Sequence, residues 1–215
     1  MSTMRCQARS VPRGEKRRYQ ISAVAEGVFL ERGYAETTMQ LIAARAGASK
    51  ETLYRHFGCK EALFSEVVRR RSARIMGGEE GVLAGRPKEV LLDLALSLLN
   101  FLGRAESLCL YRVVVAEAPR EPDLGRIFYA QGPGRVISRL AAYLKLADEG
   151  GALRVRDPDL AAKLFVGAVI AHHQLLRLVV AASFPEPELR AHATEAVSLF
   201  LARYGPEAGA PTMIA

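Results

Sequence analysis

Apolar residues recur every three or four positions along most of the chain, the period of an amphipathic helix, and no segment reads convincingly as a strand. Ile21, Val24, Val28 and Phe29 predict a first helix from about Arg17, stopped by Gly33. Thr37 and Thr38 open a second, short helix carrying Leu41, Ile42 and Ala44, and Thr37 with Gln40 fits a capping box. Gly47 ends it. Ser49 then caps a third helix holding Thr52, Leu53, Tyr54 and Arg55, which Gly58 closes. A fourth runs from about Lys60 through Leu63, Phe64, Val67 and Val68 toward Ile75, with Gly77 and Gly78 as its stop.

The remaining segments are helical with clear punctuation. Pro87 to Gly103 and Glu106 to Ala118 come first, the second stopped by Pro119 and Pro122. Leu124 to Ala147 is interrupted at Gly132-Pro133-Gly134, so it is either kinked or two helices. Asp157-Pro158 supplies a cap and a first-turn proline for a helix reaching about Ser183. A last helix covers about Glu186 to Tyr204. The expected fold is all-α, with about nine to ten helices in total.

The helix beginning at Asp159 is apolar on nearly all sides, with Leu164, Phe165, Val166, Val169, Ile170, Leu175, Leu176, Leu178 and Val179. Such a helix is buried on more than one face. One face can pack on its own domain and the other on a second copy. Its most apolar run, Leu164 to Leu176, contains His172, His173 and Gln174 and falls short of the roughly 18 residues a membrane span needs, so no membrane partner is expected.

Charge divides the chain. Residues 1–75 hold fifteen Lys or Arg against seven Asp or Glu, whereas 76–215 hold fifteen against sixteen. The whole basic excess lies in the first third, where it can meet a polyanion, and leaves a near-neutral body. Cys6, Cys59 and Cys109 are odd in number and lack zinc spacing, which fits a reducing compartment. The polar, basic N-terminus lacks the apolar core of a signal peptide, and a cytoplasmic location is expected. No phosphate loop, nucleophile elbow or carboxylate pair stands out, so an enzyme reading has no residues to rest on and no cofactor is implied. Adjacent His172 and His173 point about 100° apart on one helix and read, with His192, as core or interface groups. Arg69, Arg70, Arg71 and Arg74 read as a solvated helix face.

Two short helices around Gly47 have the shape of a helix-turn-helix, in which the second helix enters the major groove and its N-terminal residues meet base edges. Here that helix starts Ser49-Lys50-Glu51-Thr52, continues with Tyr54, Arg55 and His56, and turns Leu53 and Phe57 inward.

The segment Phe29-Leu30-Glu31-Arg32-Gly33-Tyr34, Thr37-Thr38, Ile42-Ala43-Ala44-Arg45-Ala46-Gly47, Ser49 to Phe57 and Lys60-Glu61-Ala62-Leu63 resembles the TetR family of bacterial transcriptional regulators. More loosely, Arg112 to Arg120, Phe128-Tyr129 and Asp157-Pro158 resemble its AefR-like branch. The resemblance implies a homodimer with an N-terminal DNA-binding domain and a C-terminal domain that senses a small molecule. The implied division is a basic arm over 1–16, a DNA-binding domain over 17–62, a ligand-binding and dimerisation domain over 63–205, and a tail over 206–215. The helices 159–183 and 186–204 would form the dimer interface.

Site roles follow residue by residue from the resemblance. Thr38 holds a phosphate at a helix N-terminus. Lys50, Glu51, Thr52 and Arg55 meet or approach base edges, while Tyr54, His56 and Lys60 hold phosphates. Arg45 and the arm residues Arg13, Lys16, Arg17 and Arg18 add unspecific attraction. Glu51 has two readings: it accepts from a cytosine amine, or it pairs with a neighbouring cation. Met39 stands where the family often has a polar residue, and Cys59 where serine usually caps the fourth helix. A thiol there is either a tolerated exchange or a redox-sensitive group.

The implied ligand pocket lies among the middle helices, with Phe101, Leu108, Tyr111, Arg112, Phe128, Tyr129 and Phe165 as lining candidates, each of which also reads as ordinary core. The functional expectation is a repressor released from a palindromic operator by a small, largely apolar inducer. The alternative is a helical, DNA-associated interaction protein without an inducer.

Overall fold

The first helix begins earlier than the apolar repeat suggests. In the computed structural model, which describes residues 13–75 and 83–206, α1 spans Arg13–Arg32. Residues 13–16, expected in the arm, are therefore its first turn, where Glu15 complements the helix dipole. The rest of the arm with Cys6, the Gly77-Gly78 stop and the tail beyond 206 lie outside the described residues. Helices α2 (Met39–Arg45), α3 (Lys50–Phe57) and α4 (Lys60–Ala73) follow, then α5 (Pro87–Leu102), α6 (Ala105–Glu117), α7 (Pro122–Gln131), α8 (Pro133–Glu149), α9 (Pro158–Val179) and α10 (Glu186–Tyr204). That makes ten helices and no strand among the described residues.

The chain divides into two compact units, Met1–Val67 and Val68–Ala215, and α4 carries the boundary within it. The first unit is built on a small aromatic core. Phe29 stacks on Tyr34 at 5.7 Å between ring centroids, and Phe64 meets both rings edge-on at 5.3 Å. Ile21, Ile42, Leu53 and Leu63 close around them with no exposed surface.

Thr38, rather than Thr37, caps α2: its Oγ1 accepts from the Leu41 N–H at 3.1 Å. The expected box of Thr37 and Gln40 is not formed, because Thr37 is buried and donates its hydroxyl to the Gly33 carbonyl at 2.6 Å. The hydroxyl is spent on closing the α1–α2 turn.

In the second unit, Leu91, Leu94, Leu98 and Leu99 of α5, Leu140 and Leu144 of α8, Phe165 and Val169 of α9, and Phe200 of α10 form one continuous core. The interrupted segment is two helices. A side chain at Gly132 would place its Cβ 2.8 Å from the Phe128 carbonyl oxygen, and Pro133 opens α8 immediately after. Helix α9 is long and apolar enough, by length and composition alone, to cross a membrane. One of its faces instead packs inside this core, through Ala161, Ala162, Phe165, Val166 and Val169. It stops at Val179, short of the expected Ser183, because Ala181 adopts φ +52° and turns the chain out of the helix.

Candidate functional site

Helices α2 and α3 are joined by a turn that the sequence closes in detail. Gly47 sits at φ +56°, the Ala48 N–H returns to the Ala43 carbonyl at 3.0 Å, and the Gly47 N–H to Ala44 at 3.3 Å. This is a Schellman termination, in which a left-handed residue lets orphan carbonyls be satisfied. Arg17 of α1 fastens the turn by donating to the carbonyls of Ala46 and Gly47 at 3.2 and 2.7 Å. Ser49 then caps α3, its Oγ accepting from the Thr52 N–H at 3.1 Å.

Helix α3 is fixed from beneath by Leu53 and Phe57, both buried. Arg18 lies over the Phe57 ring at 5.2 Å and pairs with Glu66 at 3.2 Å. The opposite face is polar and open. Lys50, Glu51, Tyr54 and Arg55 are exposed, and His56 and Thr52 are half-buried. Lys50 Nζ lies 5.8 Å from the Tyr54 ring centre, one turn along. Thr38 is exposed at the start of α2. Helix α3 thus presents lysine, arginine, carboxylate, phenol, imidazole and hydroxyl groups, and the Thr38 hydroxyl stands at the start of α2. That chemistry suits phosphates and base edges.

Several residues are less available than the sequence implies. The Thr52 hydroxyl already shares a 2.8 Å hydrogen bond with Ser49. Lys60 Nζ donates to the Tyr34 carbonyl at 3.0 Å and rests 4.2 Å from that ring's centre, so it locks α4 to the α1–α2 corner. Glu51 lies in the first turn of α3, where the dipole favours a carboxylate, and has no ion pair among the described residues. Arg45 is engaged on the protein's own surface: it forms a two-pronged pair with Glu31, which lowers the glutamate's pKa and raises the arginine's. Arg18 is likewise engaged, whereas Lys16 is exposed. Nothing in sequence spacing announced Arg17 as the clasp of the turn, since its partners are backbone carbonyls about thirty residues away. Cys59 does act as a cap, its Sγ accepting from the Ala62 N–H at 3.4 Å. The neighbouring Glu61 carboxyl is held below its ordinary range, first by its own backbone N–H and then by Cys59 and Tyr34.

The second unit encloses a cavity of about 400 Å³, within the range of small-molecule sites. Four of the seven sequence candidates line it: Phe101, Tyr111, Phe128 and Tyr129. Tyr111 and Phe128 meet edge-to-face at 6.0 Å. Three do not. Phe165 is spent in the core against Phe200 at 5.3 Å. Arg112 donates to the carbonyls of Arg177 and Leu178, capping the end of α9. Leu108, half-buried on α6, is off the wall as well. The largest departure is Arg71. It is not solvated; it is 5% exposed, lines the cavity, and donates to Ser107 Oγ at 2.8 Å. Arg74 alone of that run is exposed, Arg69 and Arg70 being half-buried.

Comparison with known proteins agrees with this arrangement. Residues 21–67 match the family model for bacterial regulatory proteins of the tetR family. Residues 89–206 match that for the C-terminal domain of AefR-like transcriptional repressors. Over 68 residues the chain is 43% identical to the HTH-type transcriptional activator FasR of Mycolicibacterium smegmatis, a match spanning 32% of this chain and 31% of FasR. Among solved structures, a TetR-family regulator from Mesorhizobium loti is 33% identical and superposes with a TM-score of 0.75, covering 91% of this chain and all of the other. The flavonoid-responsive regulator FrrA is 29% identical with a TM-score of 0.73, over 90% of this chain and 99% of FrrA. These relatives are regulators of transcription, not enzymes. The chain belongs to the TetR family of DNA-binding transcriptional regulators, with a C-terminal domain of the AefR-like type.

Proposed function

We propose that the protein is a homodimeric, ligand-responsive repressor that leaves a palindromic operator when a small, largely apolar molecule fills the cavity of its second unit. The apolar, aromatic-lined cavity of about 400 Å³ carries this reading, because residues of α4 form part of its wall. The same helix begins at Lys60, in the DNA-binding unit. A ligand that prefers one placement of α4 therefore shifts the population of DNA-competent dimers, and only that difference in affinity can do so. The responsiveness of FrrA to flavonoids supports a small-molecule signal.

In this reading Lys50, Thr52 and Arg55 face base edges, Glu51 meets a cytosine amine, and Tyr54, His56, Thr38 and Lys60 hold phosphates. Residues 17–62 bind DNA and 63–205 bind ligand and partner, in the cytoplasm where the operator lies. Dimerisation is supported by the uncovered face of α9, where Leu160, Leu164, Leu175 and Val179 are all at least half exposed, and by Leu199 of α10. A stripe of that kind invites a second copy. Two-fold symmetry sets the recognition helices about 34–36 Å apart, one turn of DNA. The match to the C-terminal domain of AefR-like repressors supports repression as the sign of regulation.

Footprinting on the DNA flanking the gene tests this reading, with transcription from that promoter measured in parallel. A symmetric footprint of two half-sites one turn apart, with transcription falling as protein is added, supports it. A single unpaired footprint, or rising transcription, contradicts it.

A further inference from the structure

The polar side chains on the wall of the second unit's cavity fall into two sets. Arg71, Ser72 and Ser107 are engaged with the protein itself. Arg71 donates to Ser107 Oγ at 2.8 Å and its guanidinium lies 5.4 Å from the Phe101 ring centre, while Ser72 Oγ donates to the Gln131 carbonyl at 2.6 Å. The Gln174 amide and the hydroxyls of Tyr111 and Tyr129, in contrast, have no hydrogen bond to any described residue. Tyr129 is more than half exposed, so water serves it, whereas Gln174 and Tyr111 are half-buried. Gln174 reaches the cavity by helical spacing: Val166, Ile170 and Gln174 stand four residues apart on one face of α9, and all three line it.

A purely apolar molecule filling this cavity would strip water from the amide and give no hydrogen bond in return. A buried group left unanswered costs more than a typical hydrogen bond contributes. The amide carries two N–H donors and a carbonyl acceptor. A hydroxyl is both donor and acceptor and can answer either end. A carboxylate only accepts, and it sets its charge against the amide's carbonyl oxygen. We propose that the inducer is an uncharged aromatic hydroxy compound, its hydroxyl bonded to Gln174 and its ring against the edge-to-face pair of Tyr111 and Phe128. This rests on the cavity being the inducer site and goes further by naming the ligand's class and its anchor. Gln174 directly precedes Leu175 of the uncovered stripe, so a ligand held there bears on the helix offered to the second copy.

The test is equilibrium dialysis of the full chain against 2-naphthol, 2-methylnaphthalene and 2-naphthoate at neutral pH, where the naphthol is uncharged. The wild type is expected to bind 2-naphthol at least about tenfold tighter than 2-naphthoate. Gln174→Met, which keeps the length of the side chain and removes its amide, should weaken 2-naphthol about fivefold and leave 2-methylnaphthalene within about twofold. Gln174→Leu repeats the comparison if Gln174→Met fails to fold. Binding of 2-naphthoate as tight as that of 2-naphthol, or a loss of 2-naphthol in the variant no greater than that of 2-methylnaphthalene, overturns the hydroxy-aromatic assignment and leaves the cavity as the inducer site. Failure of all three probes to bind the folded protein overturns the assignment and the inducer-site reading together.

Discussion

Arg17 and Gly47 stand thirty residues apart in sequence and 2.7 Å apart at their closest atoms, guanidinium to carbonyl oxygen. The first helix thereby holds the turn that sets the angle between α2 and α3. Arg17→Ala is expected to cost about 1 kcal/mol of stability, below the roughly 1.5–3 kcal/mol of a charged hydrogen bond because the site is partly exposed. Amide exchange should quicken over residues 46–50, and DNA affinity should fall. Unchanged exchange in the turn would show that the Schellman closure suffices alone.

Gly47 itself is required by its backbone angle and not by space. A Cβ there would meet nothing within 4 Å, yet φ is +56°. Gly47→Ala should therefore cost about 1–2 kcal/mol and Gly47→Asn less, because asparagine tolerates the left-handed region. Urea denaturation of the three proteins gives the ranking. An alanine variant as stable as the wild type would contradict it.

On α3 the exposed side chains separate into two kinds. Arg55→Ala is expected to weaken operator binding by about 1–3 kcal/mol and to relax preference at one base pair per half-site. Tyr54→Phe should weaken all sequences alike, as loss of a phosphate contact does. Lys60→Ala should lower thermal stability as well as affinity, since Lys60 bonds the Tyr34 carbonyl and covers its ring. Binding titrations against a set of single-base operator variants distinguish these outcomes.

These contrasts show what was legible in the sequence. Helix ends were readable where local chemistry sets them: Ser49 capping α3, Gly47 closing α2, Asp157-Pro158 opening α9. The two faces of α3 were readable too, because a helical period assigns Leu53 and Phe57 inward and Tyr54 and Arg55 outward. What escaped depended on partners distant in sequence. Arg71 follows two other arginines, so it reads as surface. Only the packing of α4 in the second unit, with Ser107 thirty-six residues on, reveals it as a cavity wall. Arg45 reads as an attractor of DNA until Glu31 is found beside it. Thr37 and Thr38 both look like caps, and the choice falls to the one whose hydroxyl the preceding turn does not consume.

His173 gives a pH dependence with a definite sign. It is buried, its ring lies 4.5 Å from those of His192 and Phe184, and neither ring nitrogen has a hydrogen-bond partner among the described residues. Burial, then His192, His172 and Arg177, push its pKa below the ordinary 6.5, against a small opposing pull from Glu188. The folded protein thus binds fewer protons here than the unfolded chain. This contribution to stability is whole above pH 6.5 and is lost as pH falls through that value toward the depressed one. Thermal midpoints measured from pH 7.5 to 5 should decline, and His173→Phe should flatten the decline. An equal slope in the variant would assign the effect to other groups.

The open stripe on α9 predicts association. Leu164→Glu or Leu175→Glu, each replacing a residue more than half exposed in the single chain, should shift the protein from dimer to monomer in light scattering with helicity retained. A dimer that persists in both variants would place the interface elsewhere.

The most direct test of the central claim is fluorescence anisotropy with DNA from the promoter region beside the gene, set against scrambled DNA of the same length, across a salt series. Binding at least about a thousandfold tighter to the promoter DNA, with log K falling linearly and steeply as log salt rises, is the predicted result. Arg55→Ala should remove most of that preference. Equal, weak binding to both DNAs that Arg55→Ala leaves unchanged would contradict a sequence-reading role for α3.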